Sequence, residues 1–246
     1  MIKEKKGDGG WSVTRLLIVI LAVLVLVLII YGLTDGVIKK YIAGADWNKL
    51  ERINKNLESL MEKTKKIKVI SDSGTNIKMK LCGRPIIVDM GKLDKGKPTD
   101  LLPPATLSVA PDEDSVDGTL IVDWSVVPPI GKLNGPLEIL FEKGKIKKIS
   151  GEGEEKILLE FIKDLKDPMM HFFSHITIGT NPSMKKLTGE LMNDERKAGT
   201  VTIGVGSNTG AFCGEINAKS HIDFVLKKAS VYFDNNIVVK NGKLTI

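Results

Sequence analysis

Three side chains could share one ion: the imidazoles of His175 and His221 and the carboxylate of Asp223. Two imidazoles and one carboxylate, leaving open positions, suit a mononuclear Fe(II) site; with a water they also suit catalytic Zn(II). The tripeptide His221-Ile222-Asp223 carries the argument. Residues two apart in a strand point to the same face, so His221 and Asp223 project side by side. His171 stands four before His175 and would join it at an ion only on a helix. Pro168 and the alternating His175-Ile176-Thr177-Ile178-Gly179 read as strand instead, which leaves His171 a partly exposed or core histidine. The run Gly204-Val205-Gly206-Ser207-Asn208-Thr209-Gly210 has the glycine content of a phosphate cradle, but a cradle needs a helix whose N–H groups follow it. Here the next segment reads as loop and strand, which argues against nucleotide binding.

The elements that must position these residues are mostly strands. Asp46 is a suitable N-cap for an amphipathic helix running to about Lys66, with Leu50, Ile53, Leu57, Leu60 and Met61 at three- and four-residue spacing. Strand-like segments follow at 67–71 and 76–81, around a Ser73-Gly74 turn, and then at 106–109 and 118–127. Surface turns are expected at 91–98 and 101–104. Residues 137–142 and 145–150 form a hairpin across Lys143-Gly144. Residues 154–166 repeat as a helix that ends before Pro168, and 185–193 read as a shorter one. From Thr200 to Ile246 the chain is again mostly strand. The expected fold is therefore one α+β domain at 47–246, strand-rich, with flanking helices.

Ahead of it lie a basic tail (1–15), an uncharged run of eighteen residues (16–33) and a link (34–46). As a helix the run would extend roughly 27 Å, the thickness of the bilayer's hydrocarbon layer. A cleaved signal peptide has a shorter apolar core with a small-x-small site close behind. The only such site, Ala43-Gly44-Ala45, lies beyond Lys39 and Lys40, so the expectation is an uncleaved single-pass anchor in the cell membrane, with the bilayer as partner. Lysines flank both sides, and the balance leans towards an extracytoplasmic domain. Residues 1–67 hold twelve Lys/Arg against seven Asp/Glu, leaving only +1 of the chain's net +6 for the remainder. No basic stripe interleaved with aromatics is present, which argues against nucleic-acid binding. Cys82 and Cys213 leave a disulfide and two thiols equally open.

Several ordered strings resemble one family. His175-Ile-Thr-Ile-Gly179-Thr180-Asn181-Pro182, Asp194-Glu195-Arg-Lys-Ala-Gly199-Thr200-Val-Thr202-Ile and Ser220-His221-Ile-Asp223 are similar to the catalytic half of the thermophilic metallo-aminopeptidases of the aminopeptidase T type. Upstream, Ser73-Gly74-Thr75-Asn76-Ile77, the stretch Leu102–Pro111 and Glu113-Asp114-Ser115 follow in the same order, so the resemblance covers about 46–246. Those peptidases carry two metals. This chain keeps His221 and Asp223, but has His175 where the family has a glutamate, Thr106 in place of another glutamate, and Thr202 in place of a histidine. A hydroxyl is a poor substitute for either ligand at neutral pH, so the two-metal site is dismantled.

The surviving set resembles the related dihydroxypyridine ring-cleaving dioxygenase, which the resemblance implies holds a single iron with two histidines and an aspartate. It further implies a homodimer, a preceding α/β domain in the relatives, and a small-molecule or peptide substrate. The leading expectation is a membrane-anchored Fe(II) enzyme domain of oxygenase type, with His175, His221 and Asp223 as ligands and Glu195 as an acid/base or ligand-orienting group. Two other expectations stand beside it: a degenerate relative serving as a tethered structural or interaction module, and a metallopeptidase with altered ligands.

Overall fold

A computed structural model describes residues 19–24, 46–91 and 104–246. The basic tail, most of the link to the domain and the turns expected across 92–103 lie outside the described residues, as does the apolar run except for 19–24, which is helical. Among the described residues no helix is long and apolar enough to cross a membrane. That corrects the expectation of a single-pass anchor and of a place in the cell membrane.

Residues Ala45–Ile246 form a compact unit. In chain order it contains α1 (Trp47–Met61), β1 (Lys66–Ile70), β2 (Asn76–Lys80), β3 (Ile86–Asp89), β4 (Thr106–Val109), β5 (Asp117–Val122), β6 (Ser125–Val127), β7 (Gly131–Lys132), β8 (Leu137–Glu142) and β9 (Lys145–Ser150). Then come α2 (Glu154–Leu165), β10 (Phe173–Gly179), α3 (Leu191–Asp194), β11 (Val201–Gly206), β12 (His221–Leu226), β13 (Ser230–Phe233), β14 (Asn236–Lys240) and β15 (Lys243–Leu244). The strand-rich α+β class is as expected, and Asp46 does cap α1, accepting from the Lys49 N–H at 3.0 Å. Two expectations on local structure need correction. The helix expected at 185–193 shrinks to the single turn of α3, and the stretch 118–127 divides into β5 and β6, which belong to different sheets. Cys82 and Cys213 are both exposed free thiols.

The strands form two antiparallel sheets, of order β15-β14-β13-β1-β2-β5-β8-β9 and β3-β4-β10-β11-β12-β6-β7. In the first, β1 and β2 alternate strictly: they bury Ile67, Val69, Ile77 and Met79 and expose the lysines between them. The second is different, for β10 and β11 are buried at every residue. One of its faces joins Leu107, Ile176, Ile178, Ile203 and Phe224 to the core shared with the first sheet. The other is covered by connecting segments and carries Thr106, Ser108, His175, Thr177, Thr202 and Asp223, all buried polar residues. Burying so many polar side chains on one sheet face is costly unless they are paired or serve a ligand.

Candidate metal centre

His175, Gly204 and Asp223 lie directly opposite one another across β10, β11 and β12, and Gly206 is opposite His221. His175 reaches this face because β10 carries a bulge. The pairings Phe173–Val205 and His175–Gly204 leave Ser174 as the extra residue. Without it Phe173 and His175 would share a face; with it Phe173 enters the core, edge-on to Phe141 at 5.6 Å, while His175 turns to the polar side. The ligand atoms of His175, His221 and Asp223 lie within 4.8 Å of one another, and among the described residues this is the cluster of titratable ligands able to hold an ion.

Gly204 makes the room. A Cβ there would come within 2.4 Å of His175 Cε1 and Nδ1 and 2.6 Å of His221 Cε1. The two imidazoles stack at 4.8 Å and 15°, and Phe212 covers the outer side of His175 at 4.7 Å. His175 is almost wholly enclosed, whereas the His221 side chain is 31% exposed, so solvent reaches the centre from the His221 side.

The donor set fits a divalent cation. His221 Nδ1 faces the Ser207 carbonyl at 3.2 Å, and its Nε2 lies 2.9 Å from Asp223 Oδ1. A carbonyl only accepts, so Nδ1 carries the hydrogen and Nε2 is free to bind. A lone pair 2.9 Å from a carboxylate oxygen needs a positive charge between them, either a proton or a metal ion. His175 Nε2 approaches the same Oδ1 at 3.7 Å. Burial lowers the pKa of His175 to about 4, an effect that Asp223 opposes and His221 reinforces, so this imidazole is neutral at ordinary pH and could coordinate a cation. For His221, burial also lowers the pKa, but the hydrogen bond and charge of Asp223 more than offset it and the net shift is upward.

Glu195 lies close enough to feel the centre. Burial raises its pKa, Arg196 opposes this, and Asp223 and Asp89 push it further up. Its Oε1 pairs with Arg196, which also donates to the Met192 carbonyl at 3.0 Å. The Gly179-Thr180-Asn181 turn holds this segment in place. Asn181 N–H donates to Arg196 O at 2.9 Å, Ala198 N–H to Asn181 O at 3.0 Å, and a Cβ on Gly179 would lie 2.2 Å from Lys197 O and 2.4 Å from Glu195 O. Thr180 Oγ1 donates to Asn54 Oδ1 on α1 at 2.9 Å, so the helix is tied to the same turn. The neighbouring Asp194 is spent on structure, accepting from Trp124 Nε1, Thr188 and Gly189.

Of the second-metal positions, Thr106 Oγ1 donates to Asp89 at 3.2 Å, and Thr202 Oγ1 is buried without a hydrogen-bond partner. His171 ends a 3₁₀ turn (Pro168–His171) outside the cluster. The residues that sequence reasoning missed support the loop after β11. Asn208, wholly buried, donates to Glu113 Oε1 at 2.9 Å and accepts from Ile216 N–H, while Glu113 pairs with Arg84 at 2.5 Å. Glu113 appeared in the sequence only as part of an ordered string, with no spacing that linked it to Asn208, 95 positions on.

The family profile described as NicX, 2,5-dihydroxypyridine 5,6-dioxygenase, matches residues 27–246. The 2,5-dihydroxypyridine 5,6-dioxygenase of Pseudomonas putida is 27% identical over 195 residues, 75% of this chain and 55% of the relative. A solved structure of the Pseudomonas putida dioxygenase superposes with a TM-score of 0.73 at 26% identity, covering 80% of this chain and 59% of that one. AmpT of Thermus thermophilus superposes with a TM-score of 0.63 at 15% identity, over 82% and 56% of the two chains, a likeness of fold alone. The chain thus spans a little over half the length of the relatives it matches. On the match across 27–246, the chain belongs to the 2,5-dihydroxypyridine 5,6-dioxygenase family.

Proposed function

We propose that this domain is a single-metal, ring-cleaving dioxygenase domain acting on a hydroxylated pyridine of the 2,5-dihydroxypyridine class, with Fe(II) held by His175, His221 and Asp223. The observation that carries this reading is the convergence of two imidazole nitrogens and one carboxylate oxygen on a common point over Gly204. Two imidazoles and a carboxylate with open positions are the set that suits Fe(II) oxygenases. When bound, Fe(II) supplies redox chemistry towards dioxygen; the remaining work falls to the chain's own groups. His175 and His221 hold fixed orientations through their stacking and the Phe212 lid. Phe212 keeps water from the inner face of the site. Glu195, with its pKa raised by burial and neighbouring carboxylates, takes a proton from a substrate hydroxyl and holds it. Arg196 keeps that carboxylate in place.

The peptidase alternative loses its support at Thr106 and Thr202, where hydroxyls stand in place of the ligands a second metal would need. The test is dioxygen consumption by the Fe(II)-loaded chain with 2,5-dihydroxypyridine. Consumption that requires both iron and the pyridine, and disappears in His175→Ala, is expected. An iron-loaded chain that consumes no dioxygen with the pyridine would overturn the substrate and reaction assigned here.

A further inference from the structure

We infer that Ser174 is a positioning residue for the metal centre, and that one backbone carbonyl, that of Ser207, sets the tautomer of both histidine ligands at once. The inference rests on the metal-centre reading above. Two groups converge on the Ser207 carbonyl: His221 Nδ1 at 3.2 Å and Ser174 Oγ at 3.0 Å. The first must carry a hydrogen, because a carbonyl oxygen can only accept. The Ser174 hydroxyl likewise directs its single hydrogen at that carbonyl. Towards His175 Nδ1, 3.3 Å away, Ser174 Oγ therefore presents only lone pairs. His175 Nδ1 is then the donor, and its Nε2 keeps its lone pair. The same carbonyl thus turns both Nε2 atoms towards Asp223 Oδ1 as ligands, His221 directly and His175 through one hydroxyl.

Burial makes this relay decisive. Ser174 is fully buried and His175 is 5% exposed, so water does not replace a missing acceptor. Without the hydroxyl, Nδ1–H of His175 would be left unsatisfied, which is unfavourable in such surroundings. The ring would then favour the other tautomer, with Nε2–H directed at Asp223, and that tautomer has no lone pair for a metal. The bulge explains why Ser174 is available. As the extra residue between Phe173 and His175 it turns its hydroxyl to Ser207, and its own carbonyl accepts from Asn208 Nδ2 at 3.3 Å. The loop anchored by Asn208 and Glu113 thereby fixes the position of the Ser207 carbonyl.

The test uses ¹⁵N-labelled full chain, whose three histidines give a ring spectrum simple enough to assign. Long-range ¹H–¹⁵N correlations at alkaline pH, where the rings are neutral, read the tautomer in the metal-free protein, and titration with Zn(II) reads affinity. In the wild type His175 is expected as the Nδ1–H tautomer. Ser174→Ala should move His175 to Nε2–H, leave His221 unchanged and weaken Zn(II) binding by about 10- to 100-fold, the usual cost of losing a group that orients a ligand. Ser174→Thr, which keeps the hydroxyl, should restore both. A wild-type His175 in the Nε2–H form overturns the inference without any variant. So does zinc binding that Ser174→Ala leaves at wild-type strength with the His175 tautomer unmoved. A wild type that binds no Zn(II) would instead overturn the metal-centre reading on which the relay depends.

Discussion

The two sheets contain similar strands put to different uses. In the eight-stranded sheet the alternation of β1 and β2 is clean, with Ile67, Val69, Ile77 and Met79 inside and Lys66, Lys68, Lys78 and Lys80 outside. Water solvates the outer face, so substitutions there meet nothing. In the seven-stranded sheet both faces are buried, yet only one is apolar; the other has hydroxyls, imidazoles and a carboxylate in register. Folding alone does not favour such a face, because each buried polar group loses water and has to regain a partner. The contrast teaches that polarity on a buried sheet face marks the site, whereas the same polarity on a solvated face marks only the surface.

Substitutions should divide along this line. The largest effect is expected from Gly204→Val, whose side chain would occupy the space between the two imidazoles; it should abolish metal binding, as checked by titration of the purified variant. Next, Asp223→Asn should weaken metal binding by more than about 100-fold, since it removes a ligand rather than a group that orients one. It should also bring the His221 pKa back down, because Asp223 is what raises it; NMR titration of the ring measures this. Glu113→Gln tests the support below the site. Burial pushes the Glu113 carboxyl up, but hydrogen bonds from Arg84, Glu215 N–H and Asn208 more than offset that and hold it below its ordinary 4.5. The folded protein therefore binds this proton less readily than the unfolded one. The resulting stability is full above about pH 4.5 and is lost as pH falls through the lower native value. Glu113→Gln should cost on the order of 3 kcal/mol near neutrality by leaving Arg84 unpaired, and should flatten the acid side of the stability curve, as measured by denaturant unfolding across pH. The smallest effect belongs to the solvated face. Lys68 stands opposite Lys78, so Lys68→Thr should change stability by less than about 0.5 kcal/mol and leave metal binding untouched.

What was legible in the sequence follows the same division. Period-two and period-3.6 patterns marked α1, β1, β2, the β8–β9 hairpin and α2, because each has one wet side. His221 and Asp223 were legible as a pair because strand geometry alone puts them on one face. His175 needed more than periodicity: its orientation depends on the bulge at Ser174, and an extra residue in one strand leaves no pattern in the sequence. The division of 118–127 between two sheets was hidden for a similar reason, since β5 and β6 differ in their partners and not in their composition. Lys185–Asn193 suggested a helix, yet the segment is held by Asp194 accepting from Thr188 and Gly189, a turn that hydropathy does not encode. The apolar run at 16–33 was legible as composition; among the described residues, which include only 19–24 of it, no helix is long and apolar enough to cross a membrane.

The most direct test of a one-metal centre is an anaerobic Fe(II) titration of the full chain with bound iron counted per chain. One Fe(II) per chain, lost in Asp223→Asn, is the predicted result. No retained iron in the wild type, two irons per chain, or undiminished binding by Asp223→Asn would contradict it.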